Sequence, residues 1–245
     1  MKTNNFNLPL TEIPSGEVEL PVLKKTVRVR AMNIKEEKNL LTAKDAGEDA
    51  DVVFSIKELV KACTYTDIDF TNMALPDVIA SFIKIVELSK GPISHHTYIC
   101  HNKTKDGTDC GGKISIDVDL RNVKFTGGAE TNLVHLPNNI IVELRYPTPE
   151  IYKDAIEQSK DDQIDAKLRI YAYCIVSLVQ NEEVYNEFSK EEIYDWLVAL
   201  PETALIEFNK FFDSIPQASL TYDVKCPKCG YSETVKLTEL EDFFM

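Results

Sequence analysis

Six cysteines are the residues of this chain whose type and spacing could do chemistry. Cys226 and Cys229 stand in CPKCG, a turn that presents two thiolates to one ion because its amides point back at the sulfurs and Gly230 relieves the bend. One such turn supplies half of a tetrahedral site. Cys100 and Cys110 offer the other half. Nine residues separate them instead of two, but Cys110 opens the same Cys-Gly start and the same strand pattern follows, so the pair reads as an expanded knuckle. Four thiolates from two knuckles flanked by strands describe a zinc ribbon holding one structural Zn2+ per chain. His95, His96 and His101 lie close by and read as exposed polar residues of a hairpin, outside the ligand set, with replacement of one sulfur by a histidine as the alternative. Cys63 and Cys174 fall on apolar faces and read as core thiols. A closed four-thiolate site has no open coordination position, so the expected metal is not catalytic. The rival reading of CPKC is a redox pair with a reactive Cys226. Such pairs usually open a helix in a βαβ unit, whereas this one lies between strands.

The elements that must position these turns follow from periodicity. Val18, Leu20 and Val22, then Val27 and Val29, alternate as strands after the turn signal IPSG. Asn33 stands as a helix N-cap, with Glu36 and Glu37 in the first turn. A second helix is predicted over 52–64 and a third over 76–90, stopping at Gly91. HTYIC and CGGKISIDVDL then read as a hairpin around the polar loop KDGTD. In the second half LPNN precedes the strand IIVELR, and Thr148 with Pro149 marks an N-cap and first helical residue. Ile164, Leu168, Tyr171, Ile175 and Leu178 are predicted to share one helix face, and Ser189 with Glu192 makes a capping box. A further helix carries Leu205, Phe208 and Phe212 before the closing strand, CPKCG turn and strand. The order strands, helices, cysteine turn, strand thus recurs. It implies an α+β fold of two similar halves, 1–125 and 126–245, forming one compact unit and joined through the ribbon.

Composition narrows the function. With 40 acidic against 27 basic residues the net charge is -13, which repels phosphate backbones over most of the surface. The lysines 103, 105, 113, 225, 228 and 236 near the knuckles are diluted by Asp106, Asp109 and Glu233. A nucleic-acid-binding zinc-ribbon protein is therefore the second reading, and a CxxC thiol oxidoreductase the third. No apolar run resembles a signal peptide or a membrane span, so the expected compartment is cytoplasmic. Phosphate-loop, dinucleotide, nucleophile-elbow and HExxH motifs are absent, and no enzyme is expected. Glu182 with Glu183, and Asp161 with Asp162, read as solvated charge at helix ends. The final EDFFM reads as folding back onto the core, with a docking tail as the alternative.

Taken in order, LTEIPSG, VRVRAMNIKEEKNLLTA, ELSKG, CGGKISIDVDL, LPNN with ELRYPTPE, and CPKCG resemble the baseplate hub and hub-assembly proteins of T-even-type contractile-tailed phages. The resemblance spans nearly the whole chain. It implies a non-enzymatic protein of tail assembly, acting in the host cytoplasm or carried in the virion, whose partners are hub or other tail proteins. It also implies two close cysteine pairs, from which the nine-residue spacing of Cys100 and Cys110 departs.

Overall fold

The computed structural model describes residues 11–46, 49–104, 106–160 and 162–238. The chain opens with the hairpin β1 (Ser15–Glu19) and β2 (Thr26–Arg30), paired antiparallel from Ser15 opposite Arg30 to Glu19 opposite Thr26. Ser15 and Gly16 of the IPSG signal are already strand, and the reversal lies in the segment around Val22 and Leu23. That turn is held from outside the hairpin. The buried carboxylate of Asp77 accepts the amides of Val22 at 2.7 Å and Leu23 at 3.1 Å, and burial pushes its pKa up against those two bonds.

Three helices follow: α1 (Ile34–Ala46), α2 (Asp49–Cys63) and α3 (Leu75–Lys90). At the start of α1 the Asn33 side chain accepts the Glu36 amide at 3.0 Å, and Glu36 accepts the Asn33 amide at 2.8 Å. Glu36 also takes a two-pronged ion pair from Arg30 of β2, so a residue expected only to meet the helix dipole ties the helix to the sheet. α3 is the best buried helix, with Val78, Phe82 and Ile85 fully enclosed, and it ends at Gly91 with φ 96°. β3 (Ile93–Ile99) and β4 (Lys113–Asp119) then pair antiparallel from Ile93 opposite Asp119 to Ile99 opposite Lys113, with the first two cysteines in the connection.

A short 3-10 turn (Leu120–Asn122) leads to β5 (Lys124–Thr126), β6 (Leu133–Leu136) and β7 (Ile140–Leu144). LPNN is the hairpin turn between β6 and β7, where Asn138 and Asn139 take positive φ. Next come α4 (Pro149–Ser159), capped by Thr148, and α5 (Gln163–Tyr173), capped by Asp162. Asp161 lies outside the described residues. The expectation of a helix running through Ile175 and Leu178 is overturned. The helix stops at Cys174, and Ile175–Gln180 is a strand, β8, pairing with β7 and with β9 (Glu183–Tyr185). The apolar spacing around 164–178 fits a helix on one side of Cys174 and alternation on the other, and the β-branched Ile175, Val176 and Val179 decide for strand. Glu182 accordingly sits in a hairpin turn with φ 69°, not at a helix end. α6 (Lys190–Val198) begins with the expected Ser189–Glu192 capping box, and α7 (Glu202–Asp213) carries the expected Phe208 and Phe212. The chain closes on β10 (Gln217–Lys225) and β11 (Ser232–Leu237), which form a three-stranded sheet in the order β11-β10-β5.

Two apolar clusters organise the described residues. The first joins β1, β2, α2, α3, β4 and the closing hairpin through residues such as Val29, Val60, Phe82, Val118 and Val224. The second joins β6, β7, α4, α5, α6 and α7 around Leu144, Tyr171 and Phe208, with the Tyr171 ring stacked on Phe212 at 4.0 Å. Chain order and packing thus diverge, because β10 and β11 return to the first cluster. The seam between the clusters is polar: the Leu75 amide donates to Pro147 at 2.8 Å, Lys153 of α4 pairs with Asp51 of α2 at 2.6 Å, and the buried Lys57 ammonium pairs with Glu150. EDFFM lies outside the described residues.

Candidate metal centre

The two cysteine turns are built alike. In each, the amide of the first cysteine donates to the carbonyl two residues past the second cysteine: Cys100 to Gly112 and Cys226 to Tyr231, both at 2.8 Å. In each, the residue after the second cysteine is a glycine whose amide returns to the first cysteine's carbonyl, Gly111 to Cys100 at 3.0 Å and Gly230 to Cys226 at 2.9 Å. Both glycines take positive φ, 60° and 74°, where a side chain would be strained.

The long spacing of the first turn is therefore an insertion into an otherwise ordinary knuckle. The described residues of the stretch 102–109 close on themselves as a small hairpin: the Cys110 amide donates to Asn102, Thr104 and Thr108 bond through backbone and hydroxyls, and Lys103 pairs with Asp109 at 2.6 Å. Lys105 lies outside the described residues.

These turns bring the four predicted residues together. The sulfurs of Cys100, Cys110, Cys226 and Cys229 all lie within 4.8 Å of one another. Two contacts run across the turns, Cys100 to Cys229 and Cys110 to Cys226, each 3.8 Å. A disulfide needs about 2.05 Å, so these are separate thiols. Four sulfurs at about 2.3 Å from a central ion stand about 3.8 Å apart along the edges of a tetrahedron, which is the spacing these two contacts show. Three of the cysteines are buried and Cys229 is exposed.

The sulfurs have unlike surroundings. The Tyr231 amide, together with donation from neighbouring thiols and the Asn102 amide group, draws the Cys229 pKa down. At Cys100 the Asn102 backbone amide pulls the same way, but burial and the three facing sulfurs outweigh it and push the thiol up. Burial, with the sulfurs of Cys229 and Cys226, raises Cys110 against the Gly112 amide. A dication at the centre of the cluster would favour the thiolate form of the sulfurs around it.

Three supporting residues escape the cysteine pattern. Asn102 donates to the Cys229 sulfur at 3.7 Å. Lys228, readable in the sequence as a possible phosphate contact, donates its ammonium to the Cys110 carbonyl. Gly112 faces the cluster so closely that a Cβ there would lie 2.6 Å from the Cys226 sulfur. The doubled glycine of CGG, against CGY in the other turn, is the one signal in the letters that marks it. Of the histidines, His95 pairs with Asp117 at 2.6 Å on the exposed strand face and His101 packs edge-on to Tyr98. The four sulfurs converge without them among the described residues. Cys63 and Cys174 are fully buried and apart from the cluster.

Fold and site together define a mixed α+β protein with two apolar clusters, whose distant cysteine turns meet as a four-sulfur group able to hold a metal ion. Residues 13–245 match the family described as T4 bacteriophage base plate protein, and the chain belongs to that family. It is a phage baseplate protein, a structural component of the tail that meets other tail proteins there. Comparison with curated proteins and with solved structures gave no match. Among the described residues no helix is long and apolar enough to cross a membrane.

Proposed function

We propose that this protein is a non-enzymatic component of the baseplate hub, or builds that hub in the host cytoplasm, and that one structural Zn2+ on Cys100, Cys110, Cys226 and Cys229 fastens its fold. The observation that supports the metal is the convergence of four sulfurs within 4.8 Å of one another, with two of the contacts at 3.8 Å. A structural zinc site contributes on the order of 10 kcal/mol to the fold it closes. Here the ion would lock the closing hairpin of the second half, 126–245, onto the core of the first half, 1–125. Two strand-and-helix halves would then be held as one rigid body that offers binding surfaces to its neighbours.

Zinc per chain in untagged protein tests the metal, with Cys100→Ser and Cys229→Ser alongside. One zinc per chain, lost in both variants, is expected. Zinc surviving Cys100→Ser would end the shared site. Mature particles, compared with complexes pulled from infected cells by a tagged copy, test the hub role. A hub component is found in both, and an assembly protein only in the second. If no tail protein accompanies the chain in either, the hub reading fails.

A further inference from the structure

The seam between the sheet of the second cluster and α6 opens as a groove of about 330 Å3. Ile140 and Leu178 come from β7 and β8, Tyr185 from β9, Phe188 from the loop, and Ile193 and Trp196 from α6. An apolar cavity of about 150 Å3 accommodates a benzene ring, so this one has room for two aromatic side chains. Its apolar character continues onto the surface, where Val184 is 60% and Tyr185 47% exposed.

The charged residues that line the groove have one sign. Glu187 and Glu192 line the groove, and the stretch 180–196 that forms two of its walls contains six carboxylates and one basic residue, Lys190. That lysine is engaged by Asp154, and of the six carboxylates Glu191 is paired with Arg169. Glu187 lies at the end of an exposed segment, residues 181–187. An apolar slot bordered by two carboxylates and no cation selects apolar side chains flanked by cations, because an acidic segment would be repelled and a neutral polar one would leave the slot unfilled.

We propose that this groove docks a segment of another tail protein, one that carries apolar or aromatic side chains between lysines or arginines. The inference rests on the reading that the chain binds tail proteins, and it names the face and the chemistry.

Trp196 is the sole tryptophan of the chain and lines the groove, so its emission reports occupancy. The probes are overlapping peptides covering the tail proteins of the parent phage and this chain itself, with any tryptophan replaced by phenylalanine, titrated into the full-length protein. The expected result is a saturable blue shift from peptides with an apolar centre and basic flanks, weakening as salt is raised. Affinity should fall about tenfold or more in Tyr185→Lys and in Glu187→Lys, with melting temperature unchanged in both. No saturable shift from any peptide overturns the proposal. So do binders without basic flanks, or affinities indifferent to both variants. Binding by peptides of this chain alone would make the occupant a second copy or its own terminal segment, and the tail-protein docking site would be wrong. The composition of mature particles is measured separately, so failure of the groove is distinguishable from failure of the hub reading.

Discussion

Gly112→Ala isolates the geometry of the cysteine cluster from every other property of the turn. The added Cβ would stand 2.6 Å from the Cys226 sulfur, 3.1 Å from the Lys228 Cβ and 3.4 Å from the Cys110 sulfur. Ordinary contact between such atoms begins at about 3.5 Å, so the sulfur or the backbone must yield by about 1 Å. Metal–sulfur distances in real sites hold to about 0.2 Å, and the displacement exceeds that several-fold. Gly112 lacks the positive φ of its neighbour, so alanine adds no left-handed backbone strain and the contact accounts for the loss of zinc affinity. A fall in zinc affinity of about 10- to 100-fold is expected, comparable to the loss of a supporting residue around a metal. At fixed free zinc that is about 1.4 to 2.8 kcal/mol of stability. For a chain of this size it lowers the melting temperature by about 3 to 11 °C. The assay is competition with a chromophoric chelator, paired with thermal unfolding at buffered zinc. Gly111→Ala is the control: nothing lies within 4 Å of its Cβ, so it should lose only about 1 kcal/mol to its left-handed backbone and keep its zinc affinity. Wild-type affinity in Gly112→Ala, with an unchanged melting temperature, would refute the packing of that glycine against the Cys226 sulfur.

Other outcomes follow from the same structure. Glu150→Ala should destabilise by about 1 to 2 kcal/mol in chemical denaturation, because it strips the partner from a lysine that is only 5% exposed. Lys57→Met, which removes the buried charge itself, should cost less. Burial already lowers the Lys57 pKa, so an equal or larger loss in Lys57→Met would contradict this account of the seam. Glu36 is held below its ordinary value of 4.5, first by the Arg30 side chain, against burial. A carboxylate lowered on folding contributes stability that is present above its unfolded pKa and lost as pH falls through the folded one. Glu36→Gln should therefore flatten the loss of stability below about pH 4.5 while lowering stability at neutral pH, and parallel acid-unfolding curves for the two proteins would exclude the linkage. Excess chelator should lower the melting temperature of the wild type and leave that of Cys229→Ser where it is, a comparison read by calorimetry.

Local signals were legible wherever a few adjacent residues settle the backbone by themselves. Asn33, Thr148 and Ser189 cap helices because a short polar side chain reaches an amide two or three residues ahead, and Gly91 ends a helix because it alone takes positive φ without strain. The Cys-Gly turns belong to the same class. Their hydrogen bonds close within each turn, so the four sulfurs that converge could be named from spacing and type alone. The nine-residue spacing hid the likeness of the two turns only in letters, since the described residues of the stretch 102–109 bond to one another and leave the knuckle unchanged.

Tertiary structure decided what depends on which surfaces meet. The run through Ile175 and Leu178 satisfies helical spacing as well as alternation, and only pairing with β7 and β9 makes it a strand. The polar seam of Lys57, Glu150, Lys153 and Asp51 joins residues about a hundred positions apart that no local pattern relates. Packing also draws the closing hairpin into the first cluster, and it brings Gly112 against a sulfur from the other end of the chain. The groove beside Trp196 arises in the same way, because its walls come from four separate elements. Periodicity tells each element which face is apolar, but it carries no address for the partner that covers that face, and that choice is made when the whole chain packs.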